Sequence, residues 1–233
     1  MSGWSGLARR DGRRTYRDRR DAGEVLANEL SSYRGRNVVV LGLARGGVPV
    51  GWQVARSLRA PLDVFLVRKL GVPQWEELAM GALASGGGVV INDSLVRNLG
   101  IGDDAIQAAI ARETEELNRR ERAYRGDRPP LDVAGKTVIL VDDGIATGAS
   151  MLAAVRAVRG MDPARIVVAV PVGSPSACQE LAREADDVVC ASMPPGFEAV
   201  GQVFADFHQV TDDEVRELLP GGESGELGTA PTV

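Results

Sequence analysis

Four short, unbroken apolar runs constrain this chain more than any other feature: NVVVLGL at 37–43, LDVFLV at 62–67, TVILV at 137–141 and RIVVAVPV at 165–172. Valine-rich runs of this length, without polar alternation, belong to strands covered on both faces. Helical patterns separate them. Ala22, Val25, Leu26, Leu30 and Tyr33 recur at helical spacing and predict an amphipathic helix over 21–33, with Gly35 beyond its end. Further helices are expected over 50–58, 150–159 and 176–185, and further strands over 89–92 and 187–191. The polar, glycine-bearing stretch 68–81 reads as a loop. Residues 103–125 form a long charged helix in which Glu115 faces Arg119, Glu116 faces Arg120 and Glu121 faces Arg125 at four-residue spacing. A Pro129-Pro130 turn follows it. Strands alternating with helices imply right-handed crossovers, so the expected fold class is α/β with a mainly parallel sheet and helices on both faces. Ligands in such sheets sit beyond the carboxyl ends of the strands. Chemistry is therefore expected in the loops after Leu43, Val67, Val141 and Val172.

The 233 residues exceed the roughly 150 typical of one domain, but nothing in the pattern forces a second one. Residues 21–219 are read as a single domain, 1–20 as a basic arm and 220–233 as a disordered tail. Composition narrows the chemistry. The chain has one histidine, His208, two cysteines, Cys178 and Cys190, and two lysines, Lys69 and Lys136. Closed zinc sites, histidine-cluster hydrolases and disulfide scaffolds are excluded, and a Ser-His-Asp triad would rest on His208 alone. His208 is expected to be structural or at the surface, and the cysteines to be core residues of a reduced protein. The first twenty residues carry seven arginines against two aspartates, whereas the whole chain has a net charge of −5. That arm reads as a solvated segment, or as one that touches nucleic acid or an anionic substrate. No apolar run reaches the ~18 residues of a membrane span, and the arm lacks the apolar stretch of a secretory signal. The expectation is a cytoplasmic protein without membrane contact.

The strongest motif is VILVDDGIATGAS, residues 138–150. A buried strand ends in adjacent carboxylates, Asp142 and Asp143, and the chain then turns through glycines into a helix. Carboxylates accept the paired hydroxyls of a ribose. Glycines let backbone N–H groups converge, Thr147 and Ser150 add hydroxyls, and the helix start adds positive dipole, which together make a phosphate cradle. Such a site suits a sugar phosphate. The pair is poorly placed for a receiver domain, where it follows the first strand and a late lysine completes the site. Neither GxxxxGK[ST] nor GxGxxG occurs.

The segment resembles the phosphoribosyl pyrophosphate (PRPP) signature of the type I phosphoribosyltransferases. By that resemblance Asp142 and Asp143 bind the ribose hydroxyls and a Mg2+ ion, directly or through water, and Gly144, Ile145, Ala146, Thr147, Gly148, Ala149 and Ser150 hold the 5'-phosphate. Ala44, Arg45, Gly46 and Gly47 stand where the family places its pyrophosphate-binding loop, which in many members contains a cis peptide. Arg68 and Lys69 begin the stretch corresponding to the family's mobile catalytic loop, and Lys69 is the lysine placed to help the reaction; the alternative is that it merely ends a strand.

A variable hood over 194–210 is expected to complete the acceptor pocket. Phe197, Val200, Gly201 and Asp206 are similar in order to a segment of purine-specific members, with one extra residue between the aromatic and Val-Gly. Phe197, Val200, Phe204 and Asp206 are thus candidate acceptor contacts, and packing of the phenylalanines in the core is the competing reading. The pattern EELAMGAL at 76–83 and the long charged helix resemble predicted phosphoribosyltransferases of undefined acceptor. The implied function is Mg-dependent transfer of phosphoribose from PRPP to a nitrogenous small molecule, with homo-oligomerisation expected. The alternative is a non-catalytic PRPP or nucleotide sensor of the same fold that binds nucleic acid.

Overall fold

The computed structural model describes residues 14–221. The chain runs through α1 (Arg19–Glu29), a 3-10 turn (Ser31–Tyr33), β1 (Val38–Leu43), α2 (Gly47–Leu58), β2 (Leu62–Phe65), β3 (Val67–Val72), β4 (Trp75–Ala84) and β5 (Val89–Ile91). It continues through α3 (Asp93–Leu99), α4 (Asp103–Arg125), β6 (Thr137–Val141), α5 (Ala149–Arg159), β7 (Arg165–Val170), α6 (Pro175–Leu181), β8 (Asp187–Cys190), a 3-10 turn (Val200–Val203) and α7 (Asp212–Leu218).

Five strands form one parallel sheet in the order β2-β1-β6-β7-β8. The unbroken apolar runs are explained by burial on both sides. Val38, Val40, Ile139 and Val141 face a core shared with α1, α2 and α7, while Val39, Leu41, Val138 and Leu140 face α5 and α6. From β1 the chain first builds outward to β2 and then crosses to β6 on the other side of β1. The strand order therefore reverses between β1 and β6, where α/β sheets open a ligand crevice.

Several boundaries differ from the sequence reading. Stretch 68–81 is not a loop: β3 and β4 pair antiparallel, with a register shift at Leu70–Gly71, and β5 joins them in a separate three-stranded sheet. Gly71 and Pro73 read as loop punctuation, yet Leu70, Val72, Met80 and Leu83 bury the inner face of this sheet. The run 62–67 divides into β2 and the start of β3, and α3 and α7 have no counterpart in the sequence reading.

Tyr16 and Arg19, within the stretch read as a basic arm, are part of the described fold. The Tyr16 hydroxyl donates to Pro171 O at 2.8 Å, its amide donates to Val203 O at 2.7 Å, and α1 already begins at Arg19. Residues 1–13 of that arm, and 222–233 of the tail, lie outside the described residues. The helix at 103–125 falls where its pattern indicated. Arg120 and Arg125 pair with Glu116 and Glu121, whereas Arg119 turns to Glu116 rather than Glu115.

Candidate active site

Asp142 and Asp143 directly follow β6, at the β1/β6 crevice. The Asp143 amide donates to Asp142 Oδ1 at 2.9 Å, which fixes the first carboxylate. Burial and the neighbouring Asp143 push the Asp142 pKa well above the usual carboxylate value. Burial also raises that of Asp143, against the opposing pull of the Arg19 guanidinium. Two acids held in this way seek compensating donors or a cation.

The loop after β1 lies directly against them. A Cβ on Gly46 would collide with the Asp143 carboxylate, and one on Gly47 would meet the Asp142 Cα at 2.9 Å. Only glycine allows this approach. The peptide between Ala44 and Arg45 is cis, and α2 starts at Gly47, so the loop leads into a helix N-terminus. Arg45 Nη1 stands 3.6 Å from Asp212 Oδ1 on α7, and the same oxygen accepts the Tyr124 hydroxyl of α4 at 2.6 Å.

Beyond the acids, Gly144–Ser150 forms an open cradle. Ile145 is tied to the next loop: its amide donates to Val172 O at 3.0 Å, and the Ser174 amide donates to Ile145 O at 2.9 Å. The Ser174 hydroxyl donates to Ala146 O at 2.7 Å. A Cβ on Gly144 would strike Val172 and Val200 at 2.7 Å. Gly148 adopts φ +77°, a left-handed turn that suits glycine, and caps α5. The first-turn amides of α5 have no acceptor within the helix, and Thr147, Ala149 and Ser150 around them are exposed.

Arg19 is the site residue that the sequence reading did not single out. Its Nε donates to Asp143 Oδ2 at 2.8 Å and its Nη1 to His208 O at 2.7 Å. Its guanidinium lies 4.0 Å from the centre of the Phe207 ring, and its side chain is only 9% exposed. A cavity of about 330 Å3 is lined by Arg19, Arg45, Gly46, Asp143, Phe207 and His208, among others.

The acceptor candidates divide. Phe204 is buried, its ring centre 5.5 Å from that of Tyr16 and 5.0 Å from that of Phe207. It packs in the core, and Phe207 is the aromatic that borders the cavity. Phe197 packs on the same small cluster and lines a different cavity with Arg14, Pro194 and Pro195. Val200 braces Gly144. Asp206 is exposed and accepts from the His208 amide at 3.1 Å. Half-exposed His208 bridges Asp206 and Glu214, and these hydrogen bonds raise its pKa.

Arg68 and Lys69 are not joined to the carboxylates. Arg68 is ion-paired to Glu113 of α4 at 2.6 Å, and Lys69 reaches Glu77 across the β3–β4 hairpin at 3.2 Å. Among the described residues, no three His, Cys, Asp or Glu side chains cluster to hold a metal, and no helix is long and apolar enough to cross a membrane.

The family model "Phosphoribosyl transferase domain" matches residues 16–207. A Mycobacterium tuberculosis (strain H37Rv) protein named "Putative phosphoribosyl transferase Rv0571c" is 46% identical over 204 residues, covering 88% of this chain and 46% of that protein. The chain thus spans about half the length of the curated relatives it matches. The crystal structure of TT1426 from Thermus thermophilus is 45% identical, with a TM-score of 0.77, over 88% of this chain and 97% of that one.

Proposed function

The chain belongs to the phosphoribosyl transferase family, and we propose that it transfers the phosphoribosyl group of PRPP to a nitrogenous small-molecule acceptor, releasing pyrophosphate. One observation carries this reading: the Gly46–Gly47 loop is pressed against the Asp142–Asp143 pair at the sheet's switch point, beside the α5 cradle. A diphosphate, a ribose and a 5'-phosphate then find three adjoining receptors in the order in which PRPP presents them.

In this reading Asp142 and Asp143 accept hydrogen bonds from the ribose hydroxyls. The amides at the start of α5, with Thr147 and Ser150, hold the 5'-phosphate. The amides of Ala44–Gly47 and the Arg45 guanidinium hold the diphosphate. The C1'–O bond breaks with its electron pair leaving on pyrophosphate, and the acceptor nitrogen forms the new C1'–N bond and gives up its proton. Such a step asks for clamped charge rather than a strong base, consistent with a chain holding one exposed histidine. Lys69, half exposed and loosely paired, is the cation offered by the β3–β4 hairpin, and Arg68 holds that hairpin to α4.

Asp142 and Asp143 are adjacent hard oxygen donors whose charges burial penalises and a cation would compensate, so they would hold Mg2+. When bound, Mg2+ supplies positive charge to the departing pyrophosphate. Phe207, stacked with Phe204 and covered by Arg19, lines the cavity in which the acceptor would sit.

The test is PRPP-dependent pyrophosphate release across a panel of nitrogenous bases. Release with at least one acceptor is expected. PRPP binding without turnover for any acceptor, together with salt-sensitive binding of nucleic acid, would favour the sensor reading instead.

A further inference from the structure

The two cysteines lie twelve positions apart in sequence, on α6 and at the end of β8. The fold brings them to one spot. A Cβ built on Gly173 would meet Cys178 Sγ at 2.9 Å and Cys190 Sγ at 3.3 Å, so both sulfurs flank the Cα of this one glycine. The Cys190 thiol donates to Ser192 O at 3.2 Å. Both cysteines are free and almost fully buried.

Their position relative to the cradle gives the pair its significance. Gly173 bridges to Ile145, and the same point on Gly173 is 2.8 Å from Ile145 Cγ1. The next residue, Ser174, holds Ile145 through its amide and Ala146 through its hydroxyl, and it also caps α6, the helix that carries Cys178. The dithiol therefore sits directly beneath the loop Gly144–Ser150, joined to it by one residue.

We propose that Cys178 and Cys190 form a peroxide-sensitive dithiol that bridges on oxidation and, through Ser174, loosens the cradle above it. The Cys190 thiol proton is committed to Ser192 O, and its pKa is raised by the neighbouring Cys178 and by burial, whereas the neighbouring Cys190 lowers that of Cys178, so Cys178 is the attacking sulfur. Its thiolate attacks one oxygen of hydrogen peroxide, the O–O bond breaks, and hydroxide leaves with a sulfenic acid remaining on Cys178. The Cys190 sulfur then attacks the Cys178 sulfur and water is expelled. Two thiols and one peroxide give one disulfide and two waters. Peroxide is scarcely larger than water, which suits a buried pair. Bridging draws α6 toward β8 across Gly173 and shifts Ser174, the only described side chain hydrogen-bonded to Ala146 O. The cradle's assignment to phosphate rests on the function proposed above; the thiol chemistry does not.

The experiment treats the full chain with hydrogen peroxide, maps disulfides by peptide mass, and follows amide hydrogen exchange over 144–151 and PRPP affinity before and after dithiothreitol. A Cys178–Cys190 bridge is expected, with faster exchange in the loop and PRPP binding about tenfold weaker, a typical coupling; dithiothreitol reverses all three. Cys178→Ala and Cys190→Ala each abolish the response. Failure of the bridge to form, or a bridge that leaves loop exchange unchanged, overturns the proposal. If the reduced protein does not bind PRPP, the proposed function fails, while the bridge and the exchange rates still decide this inference.

Discussion

At the scale of single residues, Arg19 shows how far the site extends beyond its motif. Its partner Asp143 is 124 positions away, and no local pattern separates Arg19 from its six neighbouring arginines. The Asp142–Asp143 pair, in contrast, was legible because strand, acids, glycines and helix are contiguous. Removing Arg19 leaves a largely buried carboxylate without its donor. Arg19→Met should therefore destabilise the fold by about 3 kcal/mol in urea unfolding, and adding Asp143→Asn should restore much of that loss. An Arg19→Met protein as stable as the parent would show that the pair is not engaged.

His208 carries a pH dependence of predictable sign. Its raised pKa comes first from Glu214 and then from Asp206. The stabilisation is fully present below the ordinary histidine value near 6.5 and fades as pH rises through the raised one. Because the pair is half exposed, His208→Gln should cost well under about 1 kcal/mol at pH 6 and nothing at pH 9. A deficit that grows with pH would reverse this assignment.

At the scale of elements, the main-sheet strands were readable and the hairpin was not. Burial on both faces writes a strand as an unbroken apolar run, and β1, β6 and β7 are of that kind. The β3–β4 hairpin buries one face only, shifts register at Gly71 and turns at Pro73, so its pattern resembles a loop. The phenylalanines of the hood were ambiguous for another reason: aromatic content does not tell which ring faces inward, and contact with Tyr16 decides it for Phe204.

The hairpin gives a paired prediction. Arg68→Ala leaves Glu113, whose side chain is 12% exposed, with only Arg112 beside it, and should lower stability by about 2 kcal/mol. Lys69→Ala removes an exposed pair and should leave stability unchanged, while lowering the rate of pyrophosphate release about tenfold or more. Calorimetry and steady-state kinetics on both variants check the division. Equal loss of rate with equal loss of stability would mean that the hairpin acts only as a scaffold.

For the whole molecule, the deciding feature is the reversal of strand order between β1 and β6, which sets a glycine loop and an acidic loop face to face. Alternating strands and helices foretold the parallel sheet. The order of its strands was not legible, because it depends on contacts between segments about a hundred residues apart. The charged helix α4 is fastened to this frame by the buried Arg125–Asp63 pair at 2.9 Å and by the bond from Tyr124 to Asp212, which in turn faces Arg45.

The central claim is that the acidic pair holds PRPP. It is tested most directly by measuring PRPP binding and pyrophosphate release in the Asp142→Asn/Asp143→Asn double variant. Relief of the burial penalty on both charges offsets the loss of the Arg19–Asp143 ion pair, so the double variant should remain folded. Turnover should fall on the order of a hundredfold or more, equivalent to about 3 kcal/mol at the barrier. A folded double variant that binds PRPP and releases pyrophosphate as the parent does would contradict the account.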